Sequence, residues 1–234
     1  MFDTRSGLWL MVALVATAVV ATVAVIAFAP QDALTFDTFG AAIGIPMSVL
    51  LPVLAIMSVS SEFSQRTALA TFTLIPSRHR LTLVKFGVVL AVGVASILVA
   101  VSVAAGGNVL GAMIRGIDPV WNLSLQSIGQ IVLGQVLGMA FGFMCGVLFR
   151  NSPAAIVSYF VGYFVLAGLG DVLAALQPWF EDVRGWVDFN YVQAQLFGDT
   201  MTSEFWLQLA VTSAVWIVLP LAVGVRRLLS AEVH

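Results

Sequence analysis

The chain has 234 residues, 60% of them hydrophobic and only 9% charged, where a soluble domain carries roughly 25% charged residues. No soluble fold of this length could cover that much apolar surface, which excludes an ordinary cytosolic enzyme. A membrane-spanning helix needs ~20 mostly apolar residues, so the content allows roughly six spans with short connections and leaves no room for a soluble catalytic domain. The net charge of −2 argues against nucleic acid as a partner.

The first apolar run, Gly7 to Ala29, is longer than the ~7–15 residues of a signal-peptide core, and Pro30 would follow directly on an Ala27-Phe28-Ala29 cleavage site. It is read as a retained helix. A second span runs from Ala41 to Val59 and a third from Leu81 to Ala105, with a mixed, charged segment from Ser60 to Arg80 between them. Gly106 to Gln126 is read as a loop, marked by Gly106-Gly107 and Asp118-Pro119. The fourth span is Ile128 to Leu148. In the turn Arg150-Asn151-Ser152-Pro153, Asn151 or Ser152 caps the next helix and Pro153 occupies its first turn. The fifth span is Ala154 to Leu176, and the sixth is Phe205 to Val225.

Positive residues favour the cytoplasmic loops. With the N-terminus inside, Arg5, Arg66, Arg78, Arg80, Lys85, Arg150, Arg226 and Arg227 are internal, and only Arg115 and Arg184 are external. The expectation is an all-α membrane protein of six transmembrane helices, both termini cytoplasmic, with residues 1–234 forming a single domain.

The spans hold almost no charge. Lys85 sits near the start of the third, where its stem can snorkel to the inner surface, and Asp171 lies late in the fifth. No carboxylate or His stands at mid-membrane, against a proton-coupled pump. No phosphate loop, zinc-protease motif or cysteine cluster is present. The chain is therefore read as neither an enzyme nor a holder of metal or cofactor, and Cys145 as a packing residue. Gly134, Gly138, Gly142 and Gly146 recur every fourth residue along one face of the fourth span. That spacing implies tight helix packing, or else a sliding face. Pro46 and Pro52 each remove a helix hydrogen bond from the second span.

Between the fifth and sixth spans, Gln177 to Ser203 mixes Trp179, Phe180, Trp186, Phe189, Tyr191 and Phe197 with acids. Such a mixture suits a membrane–water boundary. One or two short helices are expected there, an interfacial anchor or an outer gate built on Trp179, Phe180 and Trp186. On the inner side, Ser60 or Ser61 is expected to cap a short amphipathic helix. Glu62 would lie in its first turn, Leu69, Phe72 and Ile75 along one face, Pro76 at its end, and Arg78, His79 and Arg80 beyond. Such a helix lies on lipid or docks into a cytosolic partner.

Glu62, Arg66-Thr67, the apolar run with Leu69 and Phe72, Pro76-x-Arg78 and Lys85 resemble the first intracellular loop of ABC-2 type permeases, the membrane subunits of bacterial ATP-binding cassette exporters. The resemblance extends over the whole chain through the span count and the aromatic segment before the last span. It departs at Arg66, where the family usually has Gly. It implies that this loop is a coupling helix inserting into an ATPase, and that the aromatic segment is an outer helical hairpin. It further implies two cytosolic ABC ATPase subunits that bind ATP and Mg, a second permease copy or paralogue, membrane lipid around the pair, and a place in the bacterial cell membrane. The expected function is export of a hydrophobic or amphipathic cargo. The alternative is a non-transporting membrane subunit that couples an ATPase to mechanical or regulatory work.

Overall fold

A computed structural model describes residues 5–64, 78–198 and 201–230. The chain runs through α1 (Arg5–Phe28), α2 (Phe36–Ser64), α3 (Arg78–Arg115) and α4 (Leu125–Phe149). It continues as α5 (Ser152–Leu176), two short helices α6 (Pro178–Val187) and α7 (Phe189–Ala194), and α8. The last begins as Ser203–Ser213 and passes through a π turn at Ala214–Val218 into Leu219–Ser230. α5 has its own π turn at Val161–Val165. Five of these helices, α2, α3, α4, α5 and α8, are long and apolar enough to cross a membrane, and α1 carries a shorter apolar stretch, Val12–Phe28. The chain is an all-helical, multi-pass membrane protein. Helices suit that setting because each satisfies its own backbone polar groups where no water is available. Hydroxyls inside the helices do the same: Thr17, Thr22, Ser96 and Ser102 each donate to the carbonyl four residues back.

The helices alternate in direction, giving two distinct ends. At one, the start of α2 is tied to the α3–α4 connection. The Phe36 amide donates to the Val120 carbonyl at 3.0 Å, and the Asn108 side chain donates to the same oxygen at 3.0 Å. Arg115 reaches the carbonyls of Ile26 and Ala27, at 2.8 and 3.1 Å, and so closes the end of α1. This is the hairpin end, where α6 and α7 also lie. At the opposite end, the Ser60 and Ser152 hydroxyls meet at 2.8 Å, joining α2 to the start of α5. Arg150, Arg226 and Arg227 belong to this basic end.

Two expectations are corrected here. The loop from Gly106 to Gln126 is helical as far as Arg115, because Gly107 faces neighbouring helices rather than a turn. A Cβ at Gly107 would stand 2.7 Å from Thr22 and 3.0 Å from the Phe39 ring. The helix stops only at Gly116, whose φ of 66° suits a residue without a Cβ. There the Ile117 amide donates to the Ala112 carbonyl and the Gly116 amide to that of Met113. Second, Ser60 and Ser61 cap no new helix. α2 runs through both and through Glu62 to Ser64, and the Ser60 hydroxyl donates back to Ile56 at 2.8 Å, satisfied inside the helix. α3 begins at Arg78, a little before the expected Leu81. Arg66, Thr67, Leu69, Phe72, Ile75 and Pro76 lie outside the described residues. Of the two candidate caps for α5, Asn151 acts, accepting from the Ala154 amide at 3.2 Å.

Candidate functional site

The site is assembled on α4, and the packing begins with what α4 lacks. Between helices in lipid, attraction comes from close packing rather than from water exclusion, so small residues let backbones approach. Gly142 and Gly146 face α2. A Cβ at Gly142 would stand 2.6 Å from the Pro52 carbonyl oxygen, and one at Gly146 would stand 3.0 Å from that of Ile56. Gly138 also meets Pro52, through its ring. Gly134, the last of the row, faces the hairpin end, where a Cβ would stand 2.7 Å from the Phe197 ring.

Pro52 leaves the Ser48 carbonyl without its usual amide partner four residues on. That carbonyl accepts instead from the Tyr159 hydroxyl at 2.9 Å, and Tyr159 is fully buried. One turn earlier, the Gln135 side chain donates to Gly44 at 3.2 Å. Pro52 thus becomes the point where α5 attaches to α2, and α4 reaches the same helix one turn earlier at Gly44.

The same exchange ties α6 and α7 to the spans. In the π turn of α5, the Leu166 amide reaches Val161 rather than Gly162. The Gly162 carbonyl accepts from Asn190 of α7 at 3.0 Å. In α8 the widened turn contains Trp216, whose carbonyl a regular helix would press against the ring of Pro220. The Trp216 indole then donates to the Val187 carbonyl, at the end of α6, at 2.8 Å. Gln193 of α7 reaches into the bundle and donates to the Gly134 carbonyl at 2.6 Å. The hairpin therefore hangs from both π turns and from the glycine row.

Charge collects at its rim. Asp188 caps α7 by accepting from the Tyr191 amide at 3.1 Å. Its other oxygen takes the Arg184 side chain at 3.0 Å, and Arg184 also holds Asp171 at the end of α5 at 2.6 Å. The guanidinium lies 4.3 Å from the centroid of the Tyr191 ring. Burial by itself would lower the Arg184 pKa, but the hydrogen bonds to Asp171 and Asp188 and their charges outweigh it, so the group is held above the ordinary arginine value.

Between α5, α6, α7 and the π turn of α8 lies a groove of about 280 Å³. Its apolar wall comes from α5, and Phe180, Asp188, Asn190 and Trp216 complete it. Of the three aromatic residues expected to form a gate, Phe180 lines this groove. Trp179 meets Phe180 edge to face at 5.8 Å; it is mostly exposed, whereas Trp186 is more than half covered. Lys85 stands on α3 near the basic end, away from the groove. Sequence reasoning missed Tyr159, Asn190, Gln193 and Trp216. The readable signal for Tyr159 was the carbonyl freed by Pro52, which demands a donor from a neighbouring span. Among the described residues, no three His, Cys, Asp or Glu side chains converge to hold a metal ion.

The geometry defines a class: a multi-pass helical membrane protein with two short helices tethered by polar contacts at one end. No protein-family model matches the chain, and no curated protein and no solved structure is significantly similar to it.

Proposed function

We propose that the chain is the permease subunit of an ATP-binding cassette exporter in a bacterial cell membrane, moving a hydrophobic or amphipathic cargo with energy supplied by separate cytosolic ATPases. In this reading α1 is a sixth span, both termini are cytoplasmic, and the basic end faces the cytosol. The permease works as a pair with a second copy or a paralogue, and two ATPase subunits, with ATP and Mg, dock beneath it. The observation that carries the reading is the stretch of sequence from Glu62 in the last turn of α2 to Arg78 at the start of α3. In a chain whose spans are nearly free of charge, it holds Glu62, Arg66, Thr67 and Arg78 in the order that resembles a permease coupling loop.

The packing supplies a route for a push on that segment. α2 ends beside it, touches the α4–α5 turn through Ser60 and Ser152, and presses on α4 along the glycine row. Nucleotide-driven movement of a docked loop shifts the helices only if the loop contacts differ between the two states of the ATPase.

The test is purification of the tagged chain from its native membrane. An ABC ATPase should co-purify, and ATP hydrolysis by the complex should rise with cargo. Glu62→Ala with Arg78→Ala should reduce both, at an unchanged amount of chain in the membrane. Loss of a buried charge-assisted contact costs ~2–5 kcal/mol, whereas loss of one arginine from a lipid surface costs only ~1 kcal/mol. Full ATPase yield and full stimulation in the double variant remove the coupling role. An ATPase that co-purifies but responds to no cargo favours the non-transporting alternative.

A further inference from the structure

We propose that the groove beneath the hairpin is a binding site for an amphipathic organic cation. The inference rests on which polar capacity the groove has left after its own structure is satisfied. Its walls are mostly apolar: Leu166, Leu169 and Leu173 of α5 face the rings of Phe180, Phe189 and Trp216. Such a surface accepts a hydrophobic body, and aromatic faces attract a cation by their quadrupole.

The polar side chains that line the groove are already engaged in its own structure. The Trp216 indole N–H is held by the Val187 carbonyl, and the Asn190 amide donates one N–H to Gly162. Asp188 accepts one amide and one guanidinium N–H, which leaves part of a carboxylate's roughly four acceptor directions unused.

The charge agrees. Arg184 faces two carboxylates, Asp171 and Asp188, so the cluster keeps one negative charge beside the apolar wall. An anion would meet like charge, and a neutral hydrocarbon would leave the Asp188 carboxylate unanswered. A cation with an apolar body suits both the wall and the charge.

The site deepens the permease reading by naming a cargo class, yet its test needs no ATPase. The full chain in phosphatidylcholine nanodiscs is titrated with ethidium, a lipophilic cation with amino donors. Fluorescence enhancement is compared with that of empty nanodiscs. Saturable enhancement should appear, tetraphenylphosphonium should displace it, and tetraphenylborate, its anionic counterpart in shape, should not. Asp188→Asn keeps an α7 cap but removes the charge, and should weaken binding about tenfold. Leu169→Trp fills the groove from the exposed face of α5, leaves every charge and cap in place, and should abolish the signal. Asp182→Asn removes an exposed carboxylate of α6 and should change nothing. The proposal is overturned by enhancement no greater than that of empty nanodiscs, by equal displacement with the borate, or by wild-type binding in Leu169→Trp. If binding behaves as expected and no ATPase co-purifies, the transport reading falls and the site stands.

Discussion

α4 and α5 are successive helices of 25 residues each, joined by a tight turn, yet 67% of the apolar window of α4 is buried and only 11% of that of α5. The two helices are held by different means. α4 meets α2 backbone to backbone, with glycine against proline and no side chain between. α5 is anchored at points: Tyr159 to Ser48 near its basic half, Gly162 to Asn190 at its π turn, and Asp171 to Arg184 at its hairpin end. A close-packed seam resists sliding, because any displacement collides with fixed backbone. A helix held by single hydrogen bonds can exchange them at about 1 kcal/mol each. The α2–α4 pair is therefore the frame, while the hairpin-end half of α5 and the hairpin form the adjustable side, with the groove between them.

The largest expected effect follows from the seam. Gly142→Val places new atoms against the Pro52 carbonyl, which belongs to a helix and cannot swing aside. Overpacking of this kind costs ~1–3 kcal/mol or more. A Cβ added at Gly168 in α5 would meet nothing within 4 Å, and Gly168→Ala should be neutral or stabilising by up to ~1 kcal/mol from helix propensity. Thermal unfolding in detergent, followed by size-exclusion fluorescence, should separate the two variants in opposite directions. Equal losses would mean that α5 is packed as tightly as α4.

The contrast also explains what could be read from residues alone. The apolar runs of α2 to α5 and α8 are visible because span length is a property of local composition. The glycines of α4 are visible as a row, since periodicity is local too. The continuation of α3 through Gly106-Gly107 was not, because a glycine pair reads as a loop until Phe39 and Thr22 are known to press on it. Ser60 misled for a related reason. A serine before an acidic residue resembles a cap, and only the continuation of α2 to Ser64 lets its hydroxyl donate back to Ile56 instead. The π turn of α5 has no proline to announce it, and its freed carbonyl becomes intelligible only when Asn190, distant in sequence, arrives beside it.

A second expectation sharpens the account of how α5 is anchored. Tyr159→Phe deletes the donor to the Ser48 carbonyl and should cost about 1 kcal/mol, the scale of interhelical hydrogen bonds in membranes. Pro52→Ala restores a backbone N–H for that carbonyl. In the Pro52→Ala background the same Tyr159→Phe change should therefore cost clearly less, and a double-mutant cycle of unfolding free energies measures the difference. Additive costs would show that Pro52 does not create the need for Tyr159.

A smaller effect is expected at the second π turn. Trp216→Phe keeps an aromatic wall and loses only the donor to Val187, a net change of roughly 0.5–1.5 kcal/mol. Because that bond ties the hairpin rather than the frame, the loss should show as faster amide hydrogen exchange in α6 and α7, with exchange in α2 and α4 unchanged. Uniform acceleration across all four helices would tie the hairpin to the frame and erase the distinction between them.

The smallest effect belongs to the outermost anchor. The side chain of Asp171 is 70% exposed, although its oxygen lies 2.6 Å from Arg184, whose side chain is only 11% exposed. Close geometry does not make the pair strong. Water solvates Asp171 whether or not the pair forms, and exposed ion pairs contribute ~0–1 kcal/mol and fade with salt. Arg184 keeps Asp188 when Asp171 is removed, and the Asp188 side chain is 8% exposed, so the inner bond holds the guanidinium in place. Asp171→Asn should thus lower stability by less than about 1 kcal/mol, and the deficit should shrink between low and high salt. Arg184→Gln strands the sheltered Asp188 carboxylate and should cost more, with little response to salt. If Asp171→Asn proves as damaging as Arg184→Gln, the end of α5 is fixed as firmly as the seam on α4, and the hairpin side of the molecule is no longer the adjustable one.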